Sequence, residues 1–202
     1  MFGTKEDIIE YYNANNSDKY KVCVLQCSYK CNIDCKCCYV AKDLKKSDYL
    51  MPSDKLEKVV KYCAENDFPM YTGSWEPMST WEYTRDVLIP LCKKYNAKLI
   101  VSTNGLWGNN KKIIQEVVDS NIDMLYLSVD DFHKVDYSSI ENILTEFQHH
   151  KHTKVFIMTI EGHRVPVPFE GQILVHEFKF GKQYDDKQIL FSHDREGNIV
   201  YK

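Results

Sequence analysis

No apolar run in the chain approaches the roughly 20 residues needed to span a bilayer, so a membrane-spanning helix is excluded. The opening stretch, MFGTKEDIIEYY, is acidic and has no apolar core segment, so it does not read as a secretory signal. Basic residues are not in excess: 26 Lys and Arg face 29 Asp and Glu, a formal net charge of -3. Overall charge therefore gives no drive toward a phosphate backbone, and no nucleic-acid partner is expected. There is no internal repeat, no low-complexity tract and no long Gly/Ser linker. Cysteine is missing after Cys92, so the sequence given holds no C-terminal cysteine-rich cluster domain. The remaining expectation is one compact cytoplasmic domain of 202 residues, 44% of them hydrophobic. A chain this long buries about 70% of its unfolded surface and needs no disulfide staples.

Short apolar, β-branched runs alternate with stretches of helical period. Strands are expected at 21–26, 70–73, 98–102, 124–129, 154–160 and 173–180. Between them, Leu56, Val59, Val60 and Cys63 recur on one helical face. Ile113, Ile114, Val117 and Val118 do the same, as do Ile140, Ile143, Leu144 and Phe147. Thr4 with Asp7 opens an N-terminal helix, and Ser79 with Glu82 and Ser138 with Glu141 match the capping box. Pro90 is expected to kink or end the helix over 81–95. The fifth connection, 161–172, has two prolines and no helical period and reads as a loop. Residues 189–192 and 199–201, around HDREGN, read as a β-hairpin.

Four strand–helix alternations mean βαβ units and a parallel sheet. The expected fold is α/β, an open partial (β/α)6 barrel of parallel strands with a C-terminal β-hairpin. A single domain covers 1–202, with 16–180 as the partial barrel and 181–202 as the hairpin extension. In such folds the ligand sits at the C-terminal strand edges.

The eight cysteines are Cys23, Cys27, Cys31, Cys35, Cys37, Cys38, Cys63 and Cys92. In a reducing compartment clustered thiols read as metal ligands or catalytic groups. Cys31, Cys35 and Cys38 form C-x3-C-x2-C directly after the first strand. Three thiolates on one non-helical loop can wrap a small polyhedral metal centre. A cubane 4Fe–4S cluster normally takes four cysteines; three leave one iron open to chelation.

Here the sequence resembles the radical SAM superfamily over most of its length. The resemblance implies that Cys31, Cys35 and Cys38 hold a 4Fe–4S cluster. It further implies that S-adenosyl-L-methionine chelates the open iron. Tyr39 follows the third cysteine, as is common in that family. The family usually has an aromatic residue before that cysteine; Cys37 stands there, and Cys37 and Cys27 remain alternative ligands. The stretch Gly73-Ser74-Trp75-Glu76-Pro77 is similar to the family's Gly-Gly-Glu segment, with Ser74 and Trp75 in place of two glycines. The resemblance implies that Glu76 accepts from the methionine ammonium, a charge-assisted bond. Ser102-Thr103-Asn104-Gly105 resembles the family's S-T-N-G stretch near the SAM carboxylate and ribose. Ser128-Val129-Asp130 resembles its S-x-D segment, with Ser128 or Asp130 on ribose or carboxylate. His133, His163 and Arg164 are candidate substrate contacts, and no residue is singled out as catalytic.

Plainer readings stand beside these. Cys27, Cys31, Cys35 and Cys38 can supply four ligands to a structural zinc, although zinc usually takes two separated pairs. Cys23, Cys63 and Cys92 read as buried small hydrophobes. His149, His150 and His152 read as a solvated helix end. Trp75, Trp81 and Trp107 read as core. Asn104-Gly105 is also a common turn.

The resemblance implies that an external electron donor, of flavodoxin or ferredoxin type, reduces the cluster. SAM is then cleaved to a 5′-deoxyadenosyl radical that takes hydrogen from a substrate. A peptide or protein side chain is the first substrate reading. Alternatives are a small-molecule or nucleoside rearrangement, activation of a glycyl-radical enzyme, and a non-catalytic zinc module.

Overall fold

The computed structural model describes residues 1–12, 20–36, 38, 40–178 and 188–201. Cys37, Tyr39, the expected strand positions 179–180 and residues 181–187 of the expected hairpin extension lie outside the described residues.

Six parallel strands form a curled half-barrel sheet: β1 (Tyr20–Leu25), β2 (Met70–Thr72), β3 (Leu99–Thr103), β4 (Met124–Ser128), β5 (Lys154–Ile160) and β6 (Val175–Phe178). Two further strands, β7 (Gln188–His193) and β8 (Ile199–Tyr201), form the C-terminal antiparallel pair. The full order is β6-β5-β4-β3-β2-β1-β7-β8. The pair is not a free-standing extension, because β7 lies parallel to β1 from Tyr20↔Gln188 to Cys23↔Phe191. A lone two-stranded hairpin is marginal in water, and an unpaired edge of β1 invites pairing; docking satisfies both. Ser192 Oγ donates to Val24 O (3.0 Å), and Gln26 N–H donates to His193 Nε2 (2.9 Å).

The helices follow their apolar periodicity. α2 (Ser53–Glu65) buries Leu56, Val59, Val60 and Cys63. α5 (Lys111–Ser120) buries Ile114 and Val117, and α6 (Tyr137–Phe147) buries Ile140, Ile143, Leu144 and Phe147. α1 (Lys5–Tyr12) opens on a full capping box: Thr4 N–H donates to Asp7 Oδ2 (2.7 Å), and Asp7 N–H to Thr4 Oγ1 (3.3 Å). The other two expected boxes are not formed. Asp136, not Ser138, caps α6, accepting from Ser138 N–H and Ser139 N–H; a carboxylate also suits the positive helix end. Glu76, not Ser79, caps the 3-10 turn Pro77–Thr80 by accepting from Met78 N–H.

Pro90 does not end its helix. α3 (Trp81–Tyr83) runs into a π turn at Thr84–Leu88 and on through α4 (Ile89–Tyr95). Ile89 N–H bonds five residues back to Thr84 O. Pro90 has no N–H and clashes with the carbonyl four residues back in a regular helix; the widened turn accommodates it. Asn96 and Asn121, in left-handed backbone (φ 52° and 48°), close α4 and α5.

Alternation along the strands sorts side chains to two faces. Leu25, Leu99, Val101, Leu125, Leu127, Val155 and Ile157 belong to one core with the helix faces. Ile100, Met124, Tyr126 and Phe156 form a second core that packs against Ile8 and Tyr11 of α1. α1 therefore closes the floor of the concave side, and the open end is the C-terminal strand edge. Among the described residues no helix is long and apolar enough to cross a membrane.

The turn before α5 lies against α6. A Cβ at Gly108 would sit 2.0 Å from Ser139 O and 2.7 Å from Ile143 Cγ1. Backbone cannot yield as a flexible side chain does. Gly108→Ala is expected to lose about 1–3 kcal/mol of stability, read as a lower urea midpoint; an unchanged midpoint refutes this packing.

Candidate functional site

The loop after β1 carries Cys31, Cys35 and Cys38, and its two ends are stitched together. Met51 N–H donates to Cys27 O (2.8 Å), and Ser28 Oγ donates to Tyr49 O (2.9 Å). Inside the loop Cys38 N–H donates to Cys35 O (3.2 Å), a turn that brings these two residues close. Cys31 and Cys35 are half-buried, and Cys38 is exposed.

The loop is also tied to the ends of β2 and β3. Glu76 N–H donates to Lys30 O (2.9 Å). Asn104 Nδ2 donates to Asn32 Oδ1 (2.7 Å), while Asn104 Oδ1 accepts from Leu106 N–H (3.1 Å). The Glu76 carboxylate is only 3% exposed. Its Oε1 accepts from Thr103 Oγ1 (2.7 Å) and Met78 N–H (3.1 Å), and its Oε2 from Asn104 N–H (2.8 Å). Burial pushes its pKa above the usual carboxylate range, against these three donors and the nearby His133.

Gly73 lies against Val24, whose Cγ1 an added Cβ would meet at 2.9 Å. Ser74 has φ 69°, a left-handed conformation that favours glycine. Trp75 is buried, and its indole N–H donates to Leu25 O (3.3 Å).

At the end of β4, Ser128 and Asp130 are buried. Asp130 Oδ1 accepts from Phe132 N–H (3.0 Å) and His133 N–H (3.1 Å), and lies 2.7 Å from His133 Nδ1. Burial disfavours the charged His133 ring, but Asp130 and then Cys35 outweigh it and push the pKa up to about 10. Asp130 is held below the usual carboxylate range, because His133 and two N–H donors outweigh its burial. Burial pushes the Cys31 thiol up; a bond from the Ile33 backbone opposes this, and neighbouring Glu76 adds to it.

The structure thus brings Cys31, Cys35, Cys38, Gly73, Ser74, Glu76, Asn104, Ser128, Asp130 and His133 to one rim. Ser102 is not with them: it faces the concave side, where Tyr71 Oη donates to its Oγ (3.0 Å). His163 and Arg164 tie loops together. His163 Nδ1 is 2.7 Å from Asp131 Oδ1, its ring stacks on Phe132 at 4.1 Å, and Arg164 pairs with Glu170. Cys27 is fully buried in the helix-side core beside Tyr83, and burial pushes its thiol far up, which makes it a core residue. Sequence reasoning missed Lys45, Asn32 and Thr103. Lys45 Nζ donates to Asp34 Oδ1 (3.1 Å) and Ile33 O (3.3 Å).

The radical SAM superfamily model matches residues 25–162, more than half of the chain. The chain belongs to the radical SAM superfamily. Membership implies a 4Fe–4S cluster and S-adenosylmethionine as cofactors.

Solved structures of similar fold include "anSMEcpe with bound AdoMet" (TM-score 0.52, 19% identity, 69% of this chain and 43% of that one). Streptococcus suis SuiB bound to its precursor peptide SuiA has a TM-score of 0.53 and 17% identity, over 72% of this chain and 34% of that one. Methylornithine synthase PylB has a TM-score of 0.56 and 11% identity, over 89% of this chain and 61% of that one. At these identities the likeness is one of fold. The chain spans less than two thirds of each of these three structures. No curated protein matches the sequence.

A Gln at position 76 can keep one oxygen toward Thr103 and Met78. Its amide N–H then faces the N–H of Asn104, and a buried donor loses its acceptor. Glu76→Gln is expected to cost about 1–3 kcal/mol, measured by urea unfolding at pH 7. A midpoint equal to wild type would refute the bonding described.

Proposed function

We propose that this chain is a radical SAM enzyme whose Cys31, Cys35 and Cys38 hold the 4Fe–4S cluster. The observation that carries the reading is the stitched loop itself: three thiols on one strand-end loop, tied through Glu76 and Asn104 to the next two strand ends. The donor set fits the group, since thiolates are the usual ligands of such clusters and three leave an iron open. A structural zinc fits less well, because Cys27 belongs to the core. With cluster and SAM bound, the pair supplies reductive cleavage of the C5′–S bond and a 5′-deoxyadenosyl radical.

The residues of the rim then have separate tasks. Glu76 uses three of a carboxylate's roughly four acceptor positions within the protein, which leaves one on Oε2 for the methionine ammonium. Gly73 and Ser74 shape the turn that presents it. Asn104, Ser128 and Asp130 line the side of the ribose and carboxylate, and Ser102 supports them from below. Tyr39 is kept as a cofactor contact on its place in the sequence after the third cysteine. The loop 161–172, held by His163 and Arg164, and the C-terminal pair act as walls that exclude water. An alkyl radical needs that exclusion, since it attacks anything nearby.

The substrate is read as a peptide or protein side chain. Tyr126 and Phe156 fill the concave side beneath the rim and α1 closes it, which favours a substrate lying across the rim over one buried below it. SuiB, of similar fold, is bound to a precursor peptide. Residues 1–202 are taken as one core domain, with 16–180 as barrel and 181–202 as extension, in the cytoplasm. The reductant is a flavodoxin- or ferredoxin-type protein.

The test is anaerobic reconstitution with iron and sulfide, then dithionite and SAM. Wild type is expected to bind one cluster and release 5′-deoxyadenosine, and the Cys31→Ala, Cys35→Ala, Cys38→Ala variant to do neither. Stoichiometric zinc, no iron uptake and no 5′-deoxyadenosine from wild type would sink the assignment. Deuterium transfer into 5′-deoxyadenosine from a labelled peptide fraction, and not from labelled small metabolites, is the outcome expected for a peptide substrate.

A further inference from the structure

The cysteine loop leaves the sheet at 26–28 and returns at 49–51, and the turn between β7 and β8 reaches both arms. On the outgoing arm, Gln26 N–H donates to His193 Nε2 (2.9 Å), and His193 Nδ1 lies 3.0 Å from Asp194 O. A carbonyl only accepts and a backbone N–H only donates. The proton therefore sits on Nδ1 and Nε2 is bare, which fixes the ring as one neutral tautomer. On the returning arm, the Arg195 guanidinium lies over the Tyr49 ring, 5.7 Å from its centroid, within cation–π range. Tyr49 O accepts from Ser28 Oγ (2.9 Å), and the Tyr49 ring leans on Tyr29 at 5.8 Å.

The turn that carries these two side chains is closed by its own hydrogen bonds. Asp194 Oδ1 accepts from Glu196 N–H (2.8 Å) and Asn198 N–H (2.9 Å), and Oδ2 from Asn198 Nδ2 (2.9 Å). Gly197, at φ 77°, lies against the start of α2, where an added Cβ would meet Lys55 O at 2.4 Å. Lys55 Nζ in turn pairs with Glu196. An imidazole, a guanidinium and a backbone contact thus seat one turn on both arms of the loop and on the helix that follows it.

We propose that the turn 193–197 is a clamp on the cysteine loop, with His193 and Arg195 as positioning residues that fix the separation of its two arms. A long loop keeps conformational freedom that must be given up when its residues converge on one centre. Contacts at its base remove part of that freedom in advance. The consequence for Cys31, Cys35 and Cys38 rests on the cluster reading above, whereas the clamp itself belongs to the metal-free chain. His193 acts through Gln26 and Arg195 through Tyr49.

Amide hydrogen exchange of the metal-free protein, followed by NMR, reads the clamp. The reporter is Met51 N–H, which bonds Cys27 O across the base of the loop (2.8 Å). Arg195→Ala and His193→Ala are each expected to speed its exchange about tenfold while β4 amides keep wild-type rates. Arg195 is exposed, so its variant tests the clamp even where His193→Ala does not fold. His193→Gln offers an uncharged acceptor toward Gln26 N–H, and Arg195→Lys keeps a cation beside Tyr49; each should return Met51 exchange toward wild type. In the reconstituted protein the two Ala variants are expected to lose iron to a chelator about tenfold faster than wild type. Wild-type Met51 exchange in both Ala variants, or an equal acceleration in β4, would overturn the clamp. Faster Met51 exchange with wild-type iron loss would overturn its link to the thiols. A wild-type protein that takes up no iron overturns the cluster reading instead, and leaves the exchange result to stand by itself.

Discussion

One buried carboxylate organises the rim of this half-barrel. Glu76 stands where β2 ends, and its oxygens accept from the side chain of Thr103 and the backbone of Asn104 at the end of β3. Its own N–H reaches back to the loop after β1. Three strand ends are thus referred to one residue. Parallel strands are hydrogen-bonded along their length, but nothing in a ladder fixes the loops beyond it. A buried acceptor that is costly to leave unsatisfied does fix them. Asn104 extends the link to Asn32 within the cysteine loop. The geometry of the thiols therefore depends on a bond network two strands away.

The two faces of the sheet divide the labour. The helix side is an apolar core rich in Leu, Ile and Val that also takes in Trp75, Trp81, Trp107 and Phe147. The concave side is aromatic and partly polar, with Tyr71 bonded to Ser102 and Tyr126 tilted against Phe156 at 5.1 Å. Plugging that side with α1 leaves only the C-terminal edge as a place where polar groups converge without a core to fill. Buried Glu76 and Asp130, with the His133 ring held on Asp130, stand at that edge.

Most of this was legible in local pattern. The runs at 98–102, 124–129 and 154–160 became β3, β4 and β5 within a residue or so at their ends, because β-branched strands between amphipathic helices leave few alternatives. The spacing of Cys31, Cys35 and Cys38 pointed to a shared loop for the same reason: it is a short-range fact. What was hidden is long-range. The hairpin signal around HDREGN was read correctly as a turn, in which Asp194 accepts from Glu196 and Asn198 N–H. That β7 docks parallel on β1, some 170 positions earlier in the chain, is written in no local period. Lys45 was hidden likewise, since a buried lysine looks like any solvated one until its partners are known. Pro90 points to a kink or an end in the sequence because the π turn that absorbs it has no sequence signature of its own.

The segment at 73–77 shows how a glycine-poor turn keeps a glycine-like shape. Ser74 adopts φ 69°, which costs a residue with a Cβ on the order of 1–2 kcal/mol relative to a right-handed backbone. The next residue supplies an offset. The Trp75 side chain is buried, and its indole N–H closes on Leu25 O at the end of β1. Gly73 is retained where it cannot be exchanged cheaply, against Val24. Backbone strain at Ser74 is thus held by burial one residue later. The consequence falls on Glu76, whose N–H must meet Lys30 O while its carboxylate meets β3. A turn pinned by an indole to β1 delivers Glu76 to both with less freedom than a pair of glycines would allow.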